Sequence, residues 1–243
     1  MNTDKTYKLH ISNLTIDVVK KSIKNMHLGV YPPAGRVRIA APFRISDEAV
    51  RLFAVSKIAW IRKQKTKFED QPRQEKREYV SGESHYFLGK RYLLNVFYHN
   101  ATSNVVIKNK ERICLYAKKN NTIKHRDAIF NEWYRKQLKR LVPERIQKWQ
   151  NITGIKINDW KIKRMRTRWG TCNYKSRRIW LNLELAKKPL HCLDFIILHE
   201  MVHLLEKNHG DRFKSLMGKF MLRWQLYKDE LNKSILSHEK WVY

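Results

Sequence analysis

The segment Leu198–Asp211, LHEMVHLLEKNHGD, constrains this chain more than any other. On a helix, His199 and His203 stand four residues apart, so both rings lie on one face and reach a single metal ion. Glu200 sits beside them, where a carboxylate is the usual base for a metal-activated water, so H-E-x-x-H carries a mechanism as well as a pattern. A catalytic zinc site takes three protein ligands and leaves its fourth position to water. His209, six positions after His203, is the candidate third ligand, at the spacing of H-E-x-x-H-x-x-G-x-x-H. Glu206 stands where that pattern has glycine. The turn is therefore expected at Asn208 or Gly210, both tolerant of left-handed backbone.

The flanks separate this segment from a chance match. Leu193, Phe195, Ile196, Ile197, Leu198, Met201, Val202, Leu204 and Leu205 make the helix apolar on most sides. Burying the histidines and Glu200 unpaired in such a helix costs roughly 2–7 kcal/mol per group, and metal ligation satisfies them.

Composition bounds the remainder. A chain of 243 residues with 42% hydrophobic side chains can build one large or two small cores. No apolar run approaches the ~18–20 residues that span a bilayer, and the N-terminal stretch lacks the apolar centre of a signal peptide, so the expected compartment is the cytoplasm, with no membrane partner. Cys114, Cys172 and Cys192 form no C-x-x-C pair, and Cys172 and Cys192 read as small buried residues. Lys and Arg number 51 against 22 Asp and Glu, a formal net charge of +29. The excess is spread over the chain, with 24 basic and 10 acidic residues in 1–120. Such a field favours polyanions, either nucleic acid or acidic protein.

Residues 1–118 read as a β-rich region with one long helix. Strands are expected over 15–19, 27–31 and 36–40, with Pro32, Pro33 and Gly35 in the turn before the third. Ser46 caps a helix over 47–68, in which Val50, Phe53, Ala54, Ile58 and Ile61 repeat at helical spacing. Residues 69–78, with Pro72, read as a connector. Strands resume over 85–87, 92–98, 104–107 and 113–116. Residues 119–243 read as a second domain: a long helix or a helix pair through Phe130 and Trp149, with Pro143 either kinking it or starting the second piece, a strand over 179–185 partnered by 163–171, the motif helix opened by Pro189, and a last helix with one apolar face. From Lys161 to Arg178 there are eight basic residues and no acid. If this stretch were extended, Arg164, Arg166 and Arg168 would share one face, and Arg164, Arg166 and Arg177 are candidate nucleic-acid contacts.

Three segments together are recognisable: MRTRWGTC (Met165–Cys172), IWLNLELA (Ile179–Ala186) and HEMVHLLEKNHGDRF (His199–Phe213). They resemble the YgjP-like metallopeptidase family, related to the SprT-like and WLM proteases. The likeness extends to VSGESHYFLGKRY (Val80–Tyr92) and to the helix within 41–64, so it covers most of the chain. The resemblance implies an α+β fold with a zincin-like C-terminal metalloprotease domain, one Zn2+ ion held by His199, His203 and His209, Glu200 as base, and protein or peptide substrates. It leaves the R-W-G run without a fixed role. Arg168 is a candidate for substrate binding, orienting a carboxylate or a backbone carbonyl; Trp169 is read as core beneath the metal helix and Gly170 as the site of a bulge.

The expected chemistry is hydrolysis of peptide bonds by a zinc-bound water, with Glu200 taking its proton. Two rivals come from other classes. One is a nucleic-acid-associated protein with a structural zinc closed by a fourth ligand such as Cys172; the other is a zinc hydrolase acting on a phosphate or amide.

Overall fold

The computed structural model describes residues 5–31, 35–69, 77–165 and 168–233. The chain divides into two compact units, one within Met1–Arg73 and one within Gln74–His238. The first unit is a four-stranded sheet covered by two helices. Its strands are β1 (Lys5–Ile11), β2 (Leu14–Lys21), β3 (His27–Tyr31) and β4 (Arg36–Pro42), in the order β1-β2-β4-β3. β2 and β4 are parallel and the outer pairs antiparallel. Alternation decides the buried face: Leu14, Ile16 and Val18 on β2 and Val37, Ile39 and Ala41 on β4 point to the core. They pack with Val50 and Ala54 of α1 (Asp47–Ser56) and Ile61 of α2 (Ile58–Glu69).

Ser46 caps α1 as expected, its hydroxyl accepting from the Ala49 amide at 3.2 Å. The single helix expected over 47–68 is broken at Lys57, whose amide turns back to the carbonyls of Ala54 and Val55. β1 was not anticipated, although Tyr7, Leu9 and Ile11 alternate with polar residues. The turn expected at Pro32 and Pro33 lies outside the described residues, as does the connector from 70 to 76.

In the second unit, β5 (Ser84–Phe87), β6 (Lys90–Tyr98), β7 (Asn104–Ile107) and β8 (Arg112–Ala117) form a sheet ordered β5-β6-β8-β7. α3 (Ile123–Thr153) follows, uninterrupted through Pro143 and ended by Gly154 at φ 72°. A three-stranded sheet, β10-β11-β9, then combines β9 (Asp159–Lys163), β10 (Gly170–Asn173) and β11 (Arg178–Asn182). A 3-10 turn (Leu183–Lys187), α4 (Leu190–Val202), α5 (Asp211–Phe220) and α6 (Trp224–Lys233) complete it. The class is α+β, β-rich towards the N-terminus and helical towards the C-terminus. No helix among the described residues is long and apolar enough to cross a membrane.

The observed division differs from the one expected at 118/119. Leu94, Ile113 and Leu115 of the second sheet share one core with Phe130, Leu138 and Val142 of α3 and with Ile197 and Leu198 of α4, so a cut at 118 would split it. The strand expected over 179–185 ends at Asn182, and its antiparallel partner is β10, which takes in only Gly170 and Thr171 of the stretch expected over 163–171. Asn182 explains both departures. Its side chain accepts from the Glu184 amide, starting the 3-10 turn, and donates to the carbonyls of Met165 and Arg168 at 2.8 and 2.7 Å, so those two carbonyls are held by a side chain instead of a ladder partner. β9 lies on the other side of β11, parallel to it.

α4 is anchored from two sides. Its Asp194 carboxylate accepts from Trp149 Nε1 at 3.2 Å and pairs with Arg145 and Lys148, all three on α3. The β5–β6 turn closes on its start: the amides of Leu88 and Gly89 donate to the carbonyls of Ala186 and Lys187. Gly89, at φ 81°, sits where a Cβ would come within 2.7 Å of Pro189.

Candidate metal centre

α4 and the loop after it bring His199, His203 and His209 together. His203 Nε2 and His209 Nε2 lie 3.2 and 3.0 Å from His199 Nε2. Tetrahedral ligands at ~2.0–2.1 Å from one metal ion stand ~3.3 Å apart, so three converging nitrogens at these distances fit a single ion. The second nitrogen of His203 is fixed by the Glu206 carbonyl, 3.1 Å from Nδ1, which aims Nε2 at the cluster. His199 Nδ1 is buried and has no hydrogen-bond partner among the described residues. Burial, then the neighbouring His203 and His209, hold His199 down at about 3. Burial and His203 also hold His209 below the usual histidine range. Both rings are therefore neutral at pH 7, the form that binds metal.

The turn to His209 is made differently from expectation. Gly210 has φ −71° and caps α5, and Asn208 is not left-handed either. Instead the chain tightens after α4, with the Leu204, Leu205 and Glu206 amides returning to Met201 and Val202. The Glu206 carboxylate accepts from the Asn208 amide at 3.2 Å, so it closes its own turn and stands apart from the three-histidine cluster.

Glu200 is 4% exposed. Burial pushes its carboxyl up to about 8, with Arg168 opposing. The carboxylate occupies room that Gly170 leaves: a Cβ there would lie 2.5 Å from Glu200 Oε1 and 2.9 Å from Cδ. Gly170 thus matters through close approach to Glu200 and not through a bulge; it opens the regular ladder of β10. Trp169 is only half-buried and lines the cleft, with the Lys188 ammonium 5.5 Å from its ring centroid.

Around these groups lies a cleft of about 660 Å³. Arg168 stands exposed at its wall, with Cys172 on β10, Tyr174 just after it, and Lys228 and Asn232 of α6 also lining it. Cys172 is not part of the cluster of potential ligand atoms, and burial, followed by Glu200, pushes its thiol up to about 11. Beneath the histidines lies Phe213, 1% exposed, its centroid 4.7–5.0 Å from all three rings. Its place in the site was not legible, because in the sequence it is one more apolar position of α5.

The other nominated arginines are separate from this centre. Arg164 pairs with Asp127 at 3.1 Å. Arg177, at φ 49°, spends its guanidinium on the Lys156 carbonyl at 2.9 Å. Arg166 lies outside the described residues. The single cationic face expected of 164–168 needs an extended strand, and β9 ends at Lys163.

A family profile described as YgjP-like, metallopeptidase domain, matches residues 24–234. Similar solved structures include the metallopeptidase zymogen abylysin of Pyrococcus abyssi, with TM-score 0.37 and 16% identity over 41% of this chain and 99% of that one. The metallopeptidase zymogen jannalysin of Methanocaldococcus jannaschii has TM-score 0.33 and 22% identity over 37% of this chain and 92% of that one. No curated protein matches. With a match that runs from the first unit through β10, the metal helix and α6, the chain belongs to the YgjP-like metallopeptidase family.

Proposed function

We propose that the chain is a zinc-dependent peptidase with a zincin-like C-terminal catalytic region, in which His199, His203 and His209 hold one zinc ion and Glu200 is the general base. The observation that carries this reading is the convergence of three imidazole Nε2 atoms beside a buried carboxylate. When bound, zinc would lower the pKa of a water towards ~7 and polarise the scissile carbonyl. Glu200 takes a proton from the attacking water onto its carboxylate and delivers it to the leaving amine. Gly170 keeps that carboxylate in place, and Arg168 orients a carboxylate or carbonyl of the substrate. β10 is an edge strand of its sheet and borders the cleft, so an extended peptide can add to it through backbone hydrogen bonds.

The rival reading, a closed structural zinc site, needs a fourth protein ligand. Among the described residues the ligand cluster holds the three histidines alone, which favours an open coordination position. The test is Glu200→Gln. It should keep stoichiometric zinc and lose casein hydrolysis by roughly 10²–10⁴-fold, the usual contribution of a positioned base. Full turnover by that variant would overturn the assignment.

A further inference from the structure

A second group of metal-ligand side chains lies at the opposite end of α4. His191 and Cys192 occupy its first turn and face Glu230 of α6. His191 Nε2 is 2.6 Å from Glu230 Oε2, and one ligand atom from each of the three residues lies within 4.8 Å of the others. His191 precedes His199 by eight residues, about 12 Å along a helix, so this group is distinct from the three-histidine centre. The side chains of His191 and Glu230 are 42% and 44% exposed, while Cys192 is fully buried behind them. Tyr227 packs on the His191 ring with centroids 4.6 Å apart.

We propose that His191, Cys192 and Glu230 form a second site for a divalent transition-metal ion of the zinc class, bridging α4 and α6. Imidazole, thiolate and carboxylate are each zinc ligands, and the sulfur selects against magnesium and calcium. Tetrahedral ligation asks for ligand separations of about 3.3–3.6 Å. Ligation would lengthen the His191–Glu230 contact and draw the sulfur in, and the exposed imidazole and carboxylate leave an entry path for the ion. Burial and then the Glu230 carboxylate push the Cys192 thiol up to about 12, with Lys188 opposing. A bound dication reverses the effect of the carboxylate, and the Sγ proton leaves to solvent as the metal binds.

The consequence is mechanical. α6 also carries Lys228 and Asn232 to the cleft. An ion tying Glu230 to the start of α4 would hold that wall in register with the metal helix.

Cobalt(II) titration of the metal-free full-length protein tests the site, because only a sulfur-containing centre gives the intense thiolate-to-cobalt charge-transfer band. Two equivalents should bind, one of them with the band. Cys192→Ser should abolish the band and one equivalent, whereas Cys172→Ser should keep both. Glu230→Gln, an isosteric change on a half-exposed side chain, should weaken the band-forming equivalent by about 10-fold or more, as even outer-shell partners do. His209→Ala should weaken the other equivalent and leave the band, which separates failure of this site from failure of the peptidase reading. A single equivalent without the band, or a band that follows Cys172 instead of Cys192, would overturn the proposal.

Discussion

In the proposed mechanism, replacing Gly170 by alanine separates the role assigned to Glu200 from that assigned to the three histidines. The added Cβ would stand 2.5 Å from Glu200 Oε1, 2.8 Å from Cγ and 2.9 Å from Cδ. Ordinary contacts to carbon begin near ~3.4 Å, so the carboxylate must retreat by about 1 Å. The α4 backbone cannot follow, because Asp194 and the packed faces of the helix fix it. The side chain can swing, however, so the cost to stability is about 1–2 kcal/mol, the low end for overpacking. Displacing a reacting group by 1 Å costs about 100-fold in rate, or ~2.7 kcal/mol of barrier. Gly170→Ala should therefore lower kcat/KM on casein by about two orders of magnitude, with zinc content unchanged and Tm lowered by only about 2–8 °C. Adding Glu200→Gln should cost little more than Glu200→Gln alone, because both act through one carboxylate. Activity within about threefold of the parent, or a loss that follows loss of zinc, would refute this reasoning.

His209→Ala should weaken zinc binding by more than ~100-fold, the upper end for losing only an outer-shell partner, while Glu206→Ala should leave it nearly unchanged; competition with a chromophoric chelator reads both. Asp194→Ala strands Arg145 and the Trp149 indole N–H, so it should destabilise the protein by about 3 kcal/mol and lower Tm by roughly 6–12 °C in calorimetry. Burial works to raise the Glu83 carboxyl, but His85, the Tyr79 amide and Arg77 outweigh it and bring the group down from 4.5 to about 2. Its stabilisation is complete above pH 4.5 and is lost as the pH falls towards 2. Urea unfolding across that range should show a slope that Glu83→Gln flattens, with about 2 kcal/mol lost at pH 7, the scale of hydrogen bonds to a charged acceptor.

The sequence by itself determined the elements, and the placement of candidate site residues, that depend on local spacing. His199, Glu200 and His203 are legible because helical periodicity alone places them on adjoining positions of one helix, in whatever protein that helix is packed. Ser46 as a cap, and the alternating faces of β2 and β4, follow from equally local rules. Only the tertiary structure decided what long-range packing decides. Asn182 reaches back to Met165 and Arg168 and so ends β11 early, which a strand pattern through Leu185 could not reveal. Phe213 becomes the floor of the histidine cluster only when α5 folds beneath α4. Gly170 shows its purpose only once β10 lies against Glu200, thirty residues later in the chain, because the space a glycine leaves has no meaning until its neighbour is known. Arg164 looks like a free cation in a basic run until Asp127, on α3, is brought beside it. Spacing along one helix is a property of the chain; contact between elements depends on which apolar faces pack together, and that is settled by the fold as a whole.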